Sequence, residues 1–231
     1  EINPLICFSV KSNNNLNILK LIKKFGLGAD VVSKGELLRV LKAGINPKKI
    51  VFSGVGKTLN EISFAIQKKI LLINAESENE VSNIESIAKK KNKKINIGLR
   101  LNPNIDAKTL KKISTGRNKD KFGISEKDFI RLLKKYKNSQ NINLKCLSVH
   151  IGSQILDYKP YLKMMKVIDG IIQKTNFKFE YIDLGGGMGI EYNKVYKKLN
   201  YKKYSLIIKK FLKKHKVKII FEPGRSIVGN A

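Results

Sequence analysis

Eight short runs of apolar and β-branched residues, separated by longer stretches of helical period, constrain this chain more than any other feature. They are LICFSV (5–10), ADVVS (29–33), IVFS (50–53), LLIN (71–74), INIGLRL (95–101), KCLSVHI (145–151), FEYIDL (179–184) and VKIIFE (217–222). Seven amphipathic segments, such as NLNILKLIKKF and ENEVSNIESIAKKK, lie between them. Parallel strands need a crossover long enough for a helix, so strict alternation predicts a parallel sheet faced by helices. Eight strands is the number that closes into a (β/α)8 TIM barrel. A doubly wound open sheet is the alternative, although no GxGxxG turn follows the first run. The 231 residues suffice for one barrel and contain no repeat or low-complexity linker, so residues 1–231 read as one domain.

Composition narrows the function classes. With 42% hydrophobic residues the chain can bury a core, yet no apolar run approaches the length of a membrane span and no signal peptide is evident. Cys7 and Cys146 lack CxxC partners, so neither a disulfide framework nor a metal site is indicated; both read as small buried hydrophobes of a reducing cytoplasm. The formal net charge of +29, from 47 Lys and Arg against 18 Asp and Glu, does not gather into one stripe. The lysines come in pairs near helix ends, as at Lys23-Lys24, Lys134-Lys135 and Lys213-Lys214, which reads as solvated helix faces and predicts no specific nucleic-acid partner.

The stretch VFSGVGKT (51–58) invites a nucleotide-binding reading. A phosphate-cradling loop of that kind needs an earlier glycine where Val51 stands, so the chain is not expected to bind nucleoside triphosphates.

In barrels of this class the C-terminal ends of the strands carry chemistry. Those ends bear Lys11, Asp30 and Ser33, Ser53, Asn74 and Glu76, Arg100 and Asn102, His150 and Ser153, then Gly185-Gly186-Gly187, then Glu222-Pro223-Gly224-Arg225. Consecutive glycines at a strand terminus let backbone N–H groups approach an anion, and the recurrent phosphate site of such barrels lies after strands seven and eight. Lys11, on the inward parity of Cys7 and Ser9, is expected to lose solvation and become a nucleophilic amine. Two chemistries fit an amine facing a phosphate site: an aldolase acting on a sugar phosphate, or a pyridoxal phosphate enzyme. Glu222 favours the second, because an acid beside the ring nitrogen strengthens that cofactor as an electron sink. His150 reads equally as a ring-stacking residue or a packed histidine, and His215 within KKHK reads as solvated.

The set SVKSN, GADVVSKGEL, IVFSGVGKT, NAESENE, LRLNP, TGRNKDKFGI, VHIGSQ, IDLGGGMGIEY and EPGRSIVGNA, in this order, closely resembles the barrel domain of diaminopimelate decarboxylases, within the fold-type III, alanine-racemase-like decarboxylases that use pyridoxal phosphate. The resemblance implies that Lys11 holds the cofactor as a Schiff base, Glu222 faces the pyridine nitrogen and His150 stacks on the ring. It also implies that Ser153, Gly186, Gly187, Pro223, Gly224 and Arg225 hold the phosphate, that Arg225 meets a substrate carboxylate, and that Asp30 and Arg100 support the lysine and the cofactor. The implied reaction is decarboxylation of meso-diaminopimelate to L-lysine by a cytoplasmic homodimer. A further implication is that these residues are the barrel part of a longer enzyme, whose β-rich C-terminal domain supplies more of the site, so that this part alone turns over poorly. Ornithine or arginine decarboxylation, or a non-catalytic relative that binds pyridoxal phosphate or, as a basic protein, nucleic acid, are the alternatives.

Overall fold

The computed structural model describes residues 2–107, 115–116, 122–192 and 198–230. Its strands close into a parallel barrel in sequence order, β1 (Leu5–Ser9), β2 (Gly28–Val31), β3 (Ile50–Phe52), β4 (Leu72–Ala75), β5 (Ile95–Arg100), β6 (Ile142–Ser148), β7 (Tyr181–Asp183) and β8 (Lys218–Phe221), with β8 pairing back onto β1. The crossovers are α1 (Leu16–Lys24), α2 (Lys34–Lys42), α3 (Leu59–Gln67), α4 (Glu78–Lys90), α5 (Glu126–Tyr136), α6 (Lys159–Thr175) and α7 (Tyr201–Lys214); a single-turn α8 (Arg225–Val228) follows β8. The open-sheet alternative is thereby excluded. Of the TGRNKDKFGI stretch, residues 117–121 lie outside the described residues.

Local chemistry explains where the helices start and stop. Asn15, Ser33, Thr58, Ser77, Ser125 and Asn200 each accept a backbone N–H of the first helical turn, satisfying donors that the helix leaves unpaired. Lysine pairs close α1, α4, α5 and α7, where the negative end of the helix dipole favours them. Four of the lysine pairs in the sequence thus fall at helix ends. Ser33, a rim residue in sequence, is one of these caps, accepting from Glu36 N at 3.2 Å.

Strand β6 starts at Ile142, three residues earlier than its apolar run indicates. Asn143 lies opposite Asn96 of β5 and their side-chain amides bond at 2.9 Å. Asparagine disfavours strands, and a cross-strand partner supplies what propensity lacks.

Two apolar layers result. The larger lies between the strands and the helices and contains Phe8, Phe52, Ile73, Leu147 and Ile182. The smaller fills the barrel interior with Cys7, Val51, Leu72, Cys146, Tyr181 and Ile220, and both cysteines are free and buried there. Strand side chains alternate with period two, so the residue two positions further along each strand also points inward. At the end of every strand or within one residue of it, beyond it for β3 and β8, that position is polar: Ser9, Asp30, Ser53, Asn74, Arg100, Ser148, Asp183 and Glu222, all buried. A polar tier therefore caps the interior core at the C-terminal end of the barrel. Among the described residues no helix is long and apolar enough to cross a membrane.

Candidate active site

Above the polar tier lies a cavity of about 370 Å³ whose lining includes Lys11, Ser53, Arg100, Ser148, His150 and Glu222. Its size falls in the range of cofactor sites. Strand order brings residues separated by up to 211 positions onto one opening, with an amine at the mouth, an imidazole on the wall and a carboxyl on the floor.

Lys11 departs from its expectation. Pairing of β1 ends at Ser9, and a one-turn 3-10 helix over Val10–Ser12 follows, so Val10 takes the buried position and Lys11 is exposed. Its amine faces the cavity but is not desolvated by this chain. The parity argument fails because it continues a strand that has already turned.

Glu222 is buried and accepts from Ser53 Oγ at 3.2 Å. Burial, and then the negative charges of Asp183 and Asp30, push its carboxyl well above the usual range, while Lys11 pulls the other way. Asp30 accepts from Ser9 Oγ at 2.8 Å within the barrel interior, beneath the cavity. Arg100 donates to Glu76 Oε1 at 2.8 Å and its guanidinium lies 5.1 Å from the Phe122 ring centroid. Asn102 bonds the Phe122 carbonyl at 3.0 Å, which braces the same wall.

His150 Nδ1 accepts the backbone N–H of Gly186 at 3.2 Å. Burial, and then the charges of Arg100 and Lys11, hold its pKa well below the usual value, so the ring is neutral with its proton on Nε2. The Gly186 amide thus joins the loop after β7 to the histidine after β6.

Gly186, Gly187, Ser153, Pro223, Gly224 and Arg225 form an adjoining part of the rim. Here the loops after β6, β7 and β8 touch through their backbones. A Cβ on Gly186 would stand 2.1 Å from Glu222 O, and one on Gly187 2.3 Å from Gly152 O. Gly187 also has φ +86°, which other residues resist. Pro223 O accepts from Ser9 N at 3.0 Å, tying this rim to β1. Arg225 bonds the Tyr192 hydroxyl and stacks over that ring, while its buried Nε has no hydrogen-bond partner among the described residues. Half-buried Ser153 follows Gly152 on the same rim.

The VFSGVGKT stretch has a structural role. Lys57 Nζ bonds Gly54 O at 2.5 Å, Asn74 O at 2.8 Å and Glu80 Oε1 at 2.5 Å, and Thr58 opens α3 through a reciprocal capping box with Glu61. His215 is not free in solvent as expected: Nε2 lies 2.6 Å from Asp169 Oδ1 and the ring packs against Phe211.

Sequence reasoning missed Asp183, Ser148 and Lys57. Asp183 could have been found from period two, since it stands two residues beyond interior Tyr181. Lys57 carries no such signal, because its partners come from Gly54, β4 and α4.

The residues present fit a phosphorylated pyridine aldehyde: a primary amine, a buried acid whose carboxyl burial pushes above the usual range, a neutral imidazole, and a glycine-rich rim beside an arginine whose buried Nε has no partner among the described residues. Comparison with known proteins agrees. Residues 2–229 match the family described as pyridoxal-dependent decarboxylase, pyridoxal binding domain. A diaminopimelate decarboxylase of Aquifex aeolicus is 42% identical, over 98% of this chain and 55% of that protein. One from Neisseria meningitidis is 38% identical, over 100% of this chain and 57% of that protein. The crystal structure of diaminopimelate decarboxylase from Helicobacter pylori complexed with L-lysine superposes with a TM-score of 0.92 at 41% identity, covering 98% of this chain and 58% of that one. The chain thus spans a little over half the length of the relatives it matches. On the strength of the barrel, the cavity and these matches, the chain belongs to the pyridoxal-dependent decarboxylases, as their pyridoxal-binding domain.

Proposed function

We propose that this chain is the cofactor-binding part of a diaminopimelate decarboxylase, which releases the carboxyl at the D-centre of meso-diaminopimelate as CO2 and leaves L-lysine. The observation that carries the reading is Lys11, His150 and Glu222 meeting on one cavity, in a chain about 40% identical to enzymes of that name. Pyridoxal phosphate, when bound, supplies an electron sink for the pair left by the departing carboxylate.

The chain's own residues would act as follows. Lys11, exposed at the mouth, holds the cofactor through its amine and yields that place to the substrate amine. Glu222, buried and hydrogen-bonded by Ser53, keeps a proton at the ring nitrogen. His150, neutral and held by the Gly186 amide, covers one face of the ring. Arg225, with Ser153, Gly187, Pro223 and Gly224, meets the phosphate, and Arg225 also meets a substrate carboxylate. Arg100, held by Glu76, and Asp30, held by Ser9, brace the wall and the floor. The whole protein would work as a cytoplasmic homodimer.

Two measurements test this. Wild-type chain mixed with pyridoxal phosphate should develop an absorption band that Lys11→Ala lacks; identical spectra would reject the assignment of Lys11. The full-length protein, assayed with meso-diaminopimelate, ornithine and arginine, should prefer the first, and preference for either other substrate would reject the named reaction. Sedimentation of the same protein tests the dimer.

A further inference from the structure

In a parallel barrel the crossover helices all run against the strands, so the C-terminus of each helix and its connection to the next strand lie at one end, away from the cavity. Lysine gathers there. From the last three residues of each helix to the start of the next strand, every one of these stretches carries at least two lysines. Together they hold a single acidic residue, Glu180, which Lys145 pairs at 2.5 Å. The acids in the first helical turns, Glu36, Glu61, Glu78, Glu80, Glu126 and Asp128, belong to the opposite rim. Lysines dispersed along the sequence therefore share one face in the fold. Helix dipoles account for part of this, but each C-terminus offers only about half a negative charge to the lysines around it. The rest is uncompensated like charge, which a bound polyanion relieves.

Two clefts of about 330 and 760 Å³ open at this end. Lys94 lines both, and the hydrogen-bonded Asn96 and Asn143 stand one in each lining, so the clefts adjoin across the β5–β6 pair. Lys69 and Lys93 line the smaller, and Lys134, Lys137 and Lys178 the larger. Among the described residues the salt bridges of lysine involve none of these six. The larger cleft has an apolar floor of buried Ile142 and Leu144. Half-buried Phe177 also lines it, its ring packed on Phe179 with centroids 4.7 Å apart.

We propose that these adjoining clefts bind single-stranded nucleic acid without regard to sequence, the lysines following its phosphates and Phe177 stacking on a base. A basic groove that contains an aromatic ring is how flexible single strands are held. Lysine is a point charge that neutralises phosphate without reading bases. A planar bilayer would touch only the tips of this face, since the apolar residues of the clefts are recessed and the charges continue into the concavity. A duplex keeps its bases inside and would leave Phe177 without a partner. The site lies at the end of the barrel opposite the proposed decarboxylation, and neither depends on the other.

The test is fluorescence anisotropy of the full-length protein with short labelled single-stranded oligonucleotides of two unrelated sequences. Both should bind alike at low salt, with log affinity falling linearly against log salt concentration. The triple variant Lys94→Gln, Lys134→Gln, Lys137→Gln, at exposed positions, should weaken binding about tenfold or more and make that slope shallower by about 2. Lys127→Gln, Lys159→Gln, Lys202→Gln removes the same charge from exposed helix starts at the other rim and should have far less effect. Phe177→Ala should weaken binding about fivefold or more without altering the slope. ATP, too short to follow the row of lysines, should not compete. Equal effects of the two triple variants, unchanged affinity in Phe177→Ala, or tighter binding to a duplex would each overturn the proposal. So would binding to phosphatidylserine vesicles with none to the oligonucleotides, which would make a membrane the occupant. The lysine variants decide the matter should Phe177→Ala not fold.

Discussion

Lys57 Nζ lies 2.5 Å from Glu80 Oε1, and no part of the lysine side chain is exposed. This ion pair locks the β3–α3 loop to β4 and α4. Glu80 Oε2 accepts from Glu76 N at 2.9 Å, and Glu76 Oε1 accepts from both Gly54 N and Arg100. The cavity wall formed by Gly54, Gly56 and Arg100 is therefore held by a relay that begins at Lys57.

Lys57→Met should lower stability by about 3–5 kcal/mol, because Glu80 is left as a buried charge without its partner. Urea denaturation measures this. Lys57→Met combined with Glu80→Leu should recover a large part of the loss. Equilibrium dialysis of the wild-type chain should detect no binding of ATP.

Lys11→Ala should leave unfolding free energy within about 0.5 kcal/mol of wild type, since the side chain is exposed. A large loss in denaturant titration would mean that Lys11 supports the fold. The contrast with its spectroscopic effect separates chemistry from structure at this residue.

Glu222→Gln should stabilise the cofactor-free chain at alkaline pH. The folded-state pKa of Glu222 lies above its unfolded value, so its contribution to stability is complete below about pH 4.5 and is lost as pH rises through the folded pKa. Thermal melts across pH should show the advantage of Glu222→Gln shrinking toward acid. His150 acts in the opposite sense. Its folded pKa is depressed, so stability falls as pH drops below about 6.5, and His150→Gln should flatten that limb of the same curve.

Gly186→Ala should cost about 1–3 kcal/mol, because its Cβ would collide with the Glu222 carbonyl and force the loops after β7 and β8 apart. It should also weaken pyridoxal phosphate binding, read by fluorescence titration. Unchanged affinity would mean that the glycine run serves packing only.

The barrel was legible because each strand is a compact apolar run and six of the helices, α1 to α5 and α7, begin at a polar cap, both of which are local signals. Glu222, His150 and Arg100 were legible because strand ends converge in this architecture wherever they stand in the chain. The solvation of Lys11 was not, since one turn of 3-10 helix exchanges it with Val10. The hydrogen bond from the Gly186 amide to His150 depends on two loops meeting across 36 positions, which no spacing rule encodes. His215 looked solvated among lysines because Asp169, its partner, lies on a neighbouring helix.

The polar tier also bears on how such a chain can vary. Since Ser9, Asp30, Ser53, Asn74, Arg100, Ser148, Asp183 and Glu222 each stand within one residue of the end of a different strand, any one can be exchanged without disturbing its neighbours along the chain. Length is another matter. One extra residue between Cys146 and Ser148 would turn the serine toward the helices and bring an apolar side chain into the barrel, so lineages of this protein should show substitutions within strands and confine insertions to the loops.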